Sequence, residues 1–144
     1  MTRIVNFIPS ILILWMLSET SASSSPFAGI WQGQMNGLPG IELRIQDSAG
    51  RPTGEIVFYF QERKSDGPWT VKSDHAVPLL NVKTEGKSMT FEVTHHKSHG
   101  SPELGPNVKF RVQWISGQEL RLFKVDSATE PGSGLKLTRK KMKP

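Results

Sequence analysis

The sequence predicts an all-β protein, an eight-stranded antiparallel up-and-down β-barrel, and two observations carry that reading. Apolar and polar residues alternate with period two through most of the chain after residue 28, and no stretch sustains the 3.6-residue period of a helix. Turn-forming residues recur between the alternating runs: Asn36-Gly37, Ser48-Ala49-Gly50, Glu85-Gly86, Ser116-Gly117 and the run Gly132-Ser133-Gly134. A two-sheet β-sandwich is the alternative arrangement of the same strands.

Each strand follows from its own pattern. Ile41, Leu43 and Ile45 alternate with Glu42, Arg44 and Gln46; Met89, Phe91 and Val93 alternate with Thr90, Glu92 and Thr94. Val108, Phe110, Val112 and Trp114 alternate with Lys109, Arg111 and Gln113, and Leu135 and Leu137 with Lys136 and Thr138. These read as half-buried strands with one wet face. Ile56 to Phe60 is apolar on both faces, so both faces of that strand are expected to be covered in part. The strands are expected near 29–36, 40–47, 53–61, 77–84, 88–96, 107–115, 118–125 and 134–140. Successive short strands with tight turns favour closure, which removes exposed sheet edges. The long connections, Glu62–Ala76 and Lys97–Pro106, fall on the same end of such a barrel, as does the moderate one, Asp126–Ser133. That end is the expected mouth, where binding loops gather.

Ahead of the barrel, residues 1–22 read as a secretory signal peptide. Arg3 gives a basic start, Ile4 to Leu17 an apolar run, and Thr20 and Ala22 occupy the small-residue positions before the expected cut. The apolar run is shorter than the about 20 residues a spanning helix needs, and Asn6, Pro9 and Ser10 interrupt it. No stable membrane insertion is therefore expected after cleavage. Residues 23–28 read as a linker, 29–140 as the barrel domain and 141–144 as a basic tail. The localisation implied is secreted or periplasmic. The chain has no cysteine, which excludes disulfides, thiolate metal sites and a cysteine nucleophile. Its formal charge is +5. Much of that excess sits in Arg139, Lys140, Lys141 and Lys143 at the C-terminal end, not as a patch on the fold, so nucleic acid is not an expected partner.

Gly29-Ile30-Trp31 opens the first strand and Leu137-Thr138-Arg139 closes the last. The pattern resembles the calycin signature of lipocalins, fatty-acid-binding proteins and avidins. The resemblance implies a tryptophan at the barrel floor with a basic side chain of the final strand packed over it. Phase supports the pairing independently, since Arg139 shares a face with Leu135 and Leu137. A longer stretch is similar to small secreted bacterial barrels that often precede an α/β-hydrolase domain. Its residues here are Gly29-Ile30-Trp31-Gln32-Gly33, Ile41 to Ile45, Val77-Pro78-Leu79-Leu80-Asn81-Val82 and Gly86-Lys87-Ser88-Met89-Thr90-Phe91-Glu92-Val93. That likeness implies a fold and an exported location, and no reaction. The lipocalin T-D-Y motif is missing, and Gly33 and Gly37 stand where avidins hold biotin with polar side chains.

Catalytic signatures are scarce: there is no G-x-S-x-G, H-E-x-x-H or phosphate-binding glycine loop, and no close acidic pair. The protein is therefore read as no enzyme, with no cofactor. Met35, Ile56, Phe58, Phe60, Phe91, Val93, Phe110, Val112 and Trp114 are expected to line the interior. The ligand-binding candidates are Trp69, His95, His99, Phe58, Phe60, Phe110 and Trp114, with Trp69 on a mouth loop as lid or partner contact. His95 is expected inward and His96 outward; His95, His99 and His75 are the candidate metal set, although no metal is assigned. Three functions remain open on these residues. The first is a non-catalytic binding protein for a small apolar or amphipathic molecule. The second is a packed barrel that contacts a protein or the envelope, and the third a histidine-based metal-dependent enzyme.

Overall fold

A computed structural model describes residues 25–98, 101–125 and 134–141. The signal-peptide reading, His99 and most of the expected basic tail lie outside the described residues. Among those residues the protein is all-β, with no helix. Nine strands form one antiparallel sheet: β1 (Gly29–Met35), β2 (Leu38–Ser48), β3 (Arg51–Arg63), β4 (Trp69–Pro78), β5 (Leu80–Glu85), β6 (Ser88–Val93), β7 (Val108–Ser116), β8 (Glu119–Lys124) and β9 (Leu135–Arg139). The order across the sheet is β4-β3-β2-β1-β9-β8-β7-β6-β5.

That order dictates a curled sheet. β4 and β5 are the two edges, yet only Leu79 separates them in the chain. The sheet must therefore bend round until its edges meet at that residue, giving a half-barrel. Alternation of direction across the sheet leaves β4 and β5 running the same way, one after the other. Residues 69–85 are thus one course of chain that changes partner, pairing first with β3 and then with β6. The Leu79 N–H donates to Gly54 O at the changeover. The expected strand 77–84 straddles this point, and the expected loop Glu62–Ala76 is mostly β3 and β4. Nine strands stand where the pattern gave eight.

The interior is dry at the β1 start and more open at the other end. Trp31, Leu43, Ile56, Met89, Phe91, Val112, Leu120 and Leu137 are fully buried, and Phe91 stacks on Phe110 with ring centroids 5.6 Å apart. Phe27, within the expected linker, is 1% exposed and belongs to this core. Its carbonyl accepts the Trp31 indole N–H at 2.8 Å. The Arg139 guanidinium lies 4.1 Å from the Trp31 ring centroid and donates to Ala28 O at 2.8 Å, Gly117 O at 2.8 Å and Pro26 O at 3.4 Å. Gly29 permits this close approach: its φ is +134° and a Cβ there would collide with Arg139 Nη1.

Met35 departs from the expected lining and is 53% exposed. The ladder shifts register between Gly33 and Gln34, so the alternation that puts Trp31 and Gly33 inside does not extend to Met35.

Candidate functional site

A cleft of about 490 Å³ opens at the mouth end, between β3–β4 on one side and β6–β8 on the other. Register explains its walls. Ile56 pairs with Val77 and Phe58 with His75, so β4 sets His75 one step above a buried valine and across from an aromatic ring. Val93 pairs with Val108, Phe91 with Phe110, and Phe110 with Lys124, which brings Val93, Val108, Phe110 and Lys124 to the opposite wall. Phe60 lines the rim and is 51% exposed.

The upper rim comes from the start of the β6–β7 connection, where Thr94, His95, His96 and Ser98 all line the cleft. Period two fails here because β6 ends at Val93. His96 instead bridges Leu104, and Gly105 N–H donates to His95 O at 2.8 Å, folding the connection back on itself. His96, expected to face away from His95, therefore shares the cleft with it.

Of the ligand-binding candidates, the structure brings Phe58, Phe60, Phe110 and His95 together at this cleft. Trp69 is not among the lining residues; it begins β4 opposite Arg63 and is 40% exposed. Trp114 points inward as expected but at the wrong height. It sits where β7 nears the floor, packed against the core with the Lys87 ammonium 5.4 Å from its ring. His75 and His95 line the same cleft, but among the described residues no group of three His, Asp or Glu is placed to hold a metal ion. Glu103 is engaged by the Lys97 ammonium. Val93 was expected on the inner face and lines the cleft; reasoning from sequence missed Val77, Thr94, His96, Ser98, Val108 and Lys124, of which Val108 was legible by phase, while the places of His75 and Val77 needed β4 to be recognised.

The chemistry of the lining is uneven. The walls are phenyl and isopropyl groups, and the rim is three imidazoles, two hydroxyls and one ammonium, with no carboxylate among the described lining residues. The carboxylate cluster lies elsewhere, on the outer face of β2 and β3. There Glu42 is 2% exposed and accepts from Arg44 Nε at 2.7 Å, Gln32 Nε2 at 3.1 Å and Lys140 Nζ at 3.3 Å. Burial pushes the Glu42 carboxyl up, but the hydrogen bonds and charges of Arg44 and Lys140 outweigh it and hold the group below the ordinary carboxylate value. Burial, with the Glu42 charge adding to it, pushes the nearby Tyr59 hydroxyl up.

Fold and cleft together define an all-β, curled-sheet protein with an apolar cavity open at one end. No protein-family model matches the chain, and neither a curated protein nor a solved structure matches it.

Proposed function

We propose that this is an exported, non-catalytic binding protein for a small amphipathic molecule, carried in the mouth cleft of a calycin-type barrel. One observation carries the reading: a cleft of about 490 Å³ with apolar walls and a polar rim. That volume falls in the usual range for small-molecule sites, about 300–1,000 Å³. The apolar part of the ligand rests on Phe58, Val77, Val108 and Phe110, and its polar head meets His75, His95, His96, Ser98 and Lys124. A rim of imidazoles, hydroxyls and an ammonium, with no carboxylate among its described residues, favours a neutral or anionic head over a cationic one. The calycin reading is supported by the bent course Trp69–Glu85, which counts as one strand of eight, and by Arg139 over Trp31.

Titration with anilinonaphthalene sulfonate, an anionic amphiphile, tests the proposal. Saturable binding is expected, and Val108→Trp, which fills the cleft from its wall, is expected to weaken it about tenfold or more while the fold is retained. No binding, or equal binding by the filled variant, would overturn the assignment. A second reading, a packed module that contacts another protein, draws on Met35, Phe60, Trp69 and Val71, which are 40% to 53% exposed.

A further inference from the structure

The chain is tied down from its first described residue. Ser25 N–H donates to Asp47 Oδ2 at 2.6 Å, Phe27 N–H to Ser25 Oγ at 3.3 Å, and Ala28 N–H to Ser25 O at 3.0 Å. Arg139 clamps Pro26 O and Ala28 O, and Phe27 is buried. The oxygen beside this anchor is not satisfied. Asp47 Oδ1 is buried and has no hydrogen-bond partner. A buried carboxylate oxygen without a donor is costly, and the Ser25 amide has a single hydrogen, already given to Oδ2. Next to the pair is a hollow of about 220 Å³ lined by Ser25, Phe27, Gly50, Thr84 and their neighbours, and among its described lining residues Asp47 is the one ionisable side chain.

An α-ammonium at Ser25 would meet both needs, because it carries three hydrogens and a full positive charge. We propose that the chain is cut between Ser24 and Ser25, and that the new α-ammonium of Ser25 is the counter-ion of Asp47. The step is a hydrolysis by an export-pathway endopeptidase. Water adds across the peptide bond, its oxygen staying on the Ser24 carboxylate, and the Ser25 nitrogen leaves protonated. Ala22 and Ser24 then occupy the small-residue positions before the cut, as such peptidases require. The junction after Ala22, expected from sequence alone, leaves Ser23-Ser24 in front and keeps the Ser25 nitrogen an amide. The inference rests on the export part of the reading above and is independent of the ligand.

The test is the intact mass and N-terminal sequence of the protein recovered from the periplasm after expression of the full chain. A start at Ser25 is expected. A start at Ser23 overturns the junction and leaves export standing, whereas an uncut chain overturns both. Thermal unfolding of the recovered protein across alkaline pH supplies a second readout. An ammonium that gains a carboxylate partner on folding has its folded pKa raised above the usual about 7.7–8.0 of an α-amino group. Its contribution is complete below that range and is lost as pH rises through the folded value. The midpoint is expected to fall by several degrees across that window, and in Asp47→Asn to fall less. Equal slopes in the two proteins overturn the ion pair.

Discussion

Replacing Arg139 by alanine should unfold the floor of the half-barrel before anything else, and the size of the effect can be worked out from its contacts. The guanidinium stands 4.1 Å from the ring of a tryptophan that is fully buried. A half-buried cation–π pair of this kind contributes about 1 kcal/mol. Two good charge-assisted hydrogen bonds, to Ala28 O and Gly117 O at 2.8 Å, add about 1 kcal/mol each once solvent competition is allowed for. The bond to Pro26 O at 3.4 Å adds little. The Arg139→Ala loss is then about 3 kcal/mol, and Arg139→Lys, which cannot reach three carbonyls at once, should lose about half of that. Urea unfolding followed by tryptophan fluorescence measures both. A double-mutant cycle with Trp31→Phe isolates the ring contribution, expected at about 0.5–2 kcal/mol. An Arg139→Ala protein within about 0.5 kcal/mol of the parent would refute the clamp, and zero coupling in the cycle would refute its cation–π part.

Three further outcomes are expected. Glu42→Gln should cost about 1–2 kcal/mol at neutral pH, since Lys140 loses its anion and Arg44 keeps only Glu55 while both cations remain partly hydrated. Because the folded Glu42 pKa is depressed, its contribution is present above the unfolded carboxyl value and lost as pH falls through the folded one, so acid unfolding curves of Glu42→Gln should be flatter than those of the parent. Gly54→Ala should cost more than about 2 kcal/mol, measured by denaturant midpoint: an added Cβ collides with the backbone oxygen of Arg44, which cannot retreat without opening the β2–β3 ladder. His75→Ala and His95→Ala should each weaken the sulfonate probe severalfold and leave a neutral apolar probe nearly unchanged, compared by parallel fluorescence titrations; equal losses for the two probes would remove the imidazoles from head-group recognition.

Strands with one dry face were legible in the sequence, and the reason is visible in β6, where Met89, Phe91 and Val93 are buried and the residues between them are not. The Trp31–Arg139 contact was legible for the same reason, because phase places both on the inner face. β4 was not legible. Of its ten residues only Val77 is buried, so it carries no alternation; it is held by main-chain bonds to β3, which no local pattern reports. Pro78, which has no N–H to give, marks its end, and that proline was the available hint of a strand edge. Phase also fixes a face without fixing a height. Trp114 and Phe110 share a side of β7, yet four residues of rise separate a floor tryptophan from a cleft phenylalanine. His96 shows the third limit, since a connection that folds back through the His96–Leu104 bridge obeys no strand period.

The cleft and the unpatterned strand are two sides of one fact. Below Leu79 the interior is filled: Phe27, Trp31, Met89, Leu120 and Leu137 close the floor, and Arg139 ties β9 to the segment before β1 across it. Above it β4 offers Ser73 and His75 where another apolar pair would have completed the packing, and among the described residues no strand lies beside its outer edge. The wet edge strand therefore leaves the mouth half of the interior open, and its His75 joins Thr94, His95, His96 and Ser98 of the β6–β7 connection at the rim. Stability and binding should separate along the same line. Changes at Arg139 or Gly54 should lower the unfolding free energy with little effect on probe affinity in the folded protein. Changes at His75, His95 or Val108 should alter affinity at nearly constant stability. A floor variant that stays folded but loses the probe would show that the cleft depends on the whole sheet, and would remove the separation between a rigid base and an open mouth on which the binding reading stands.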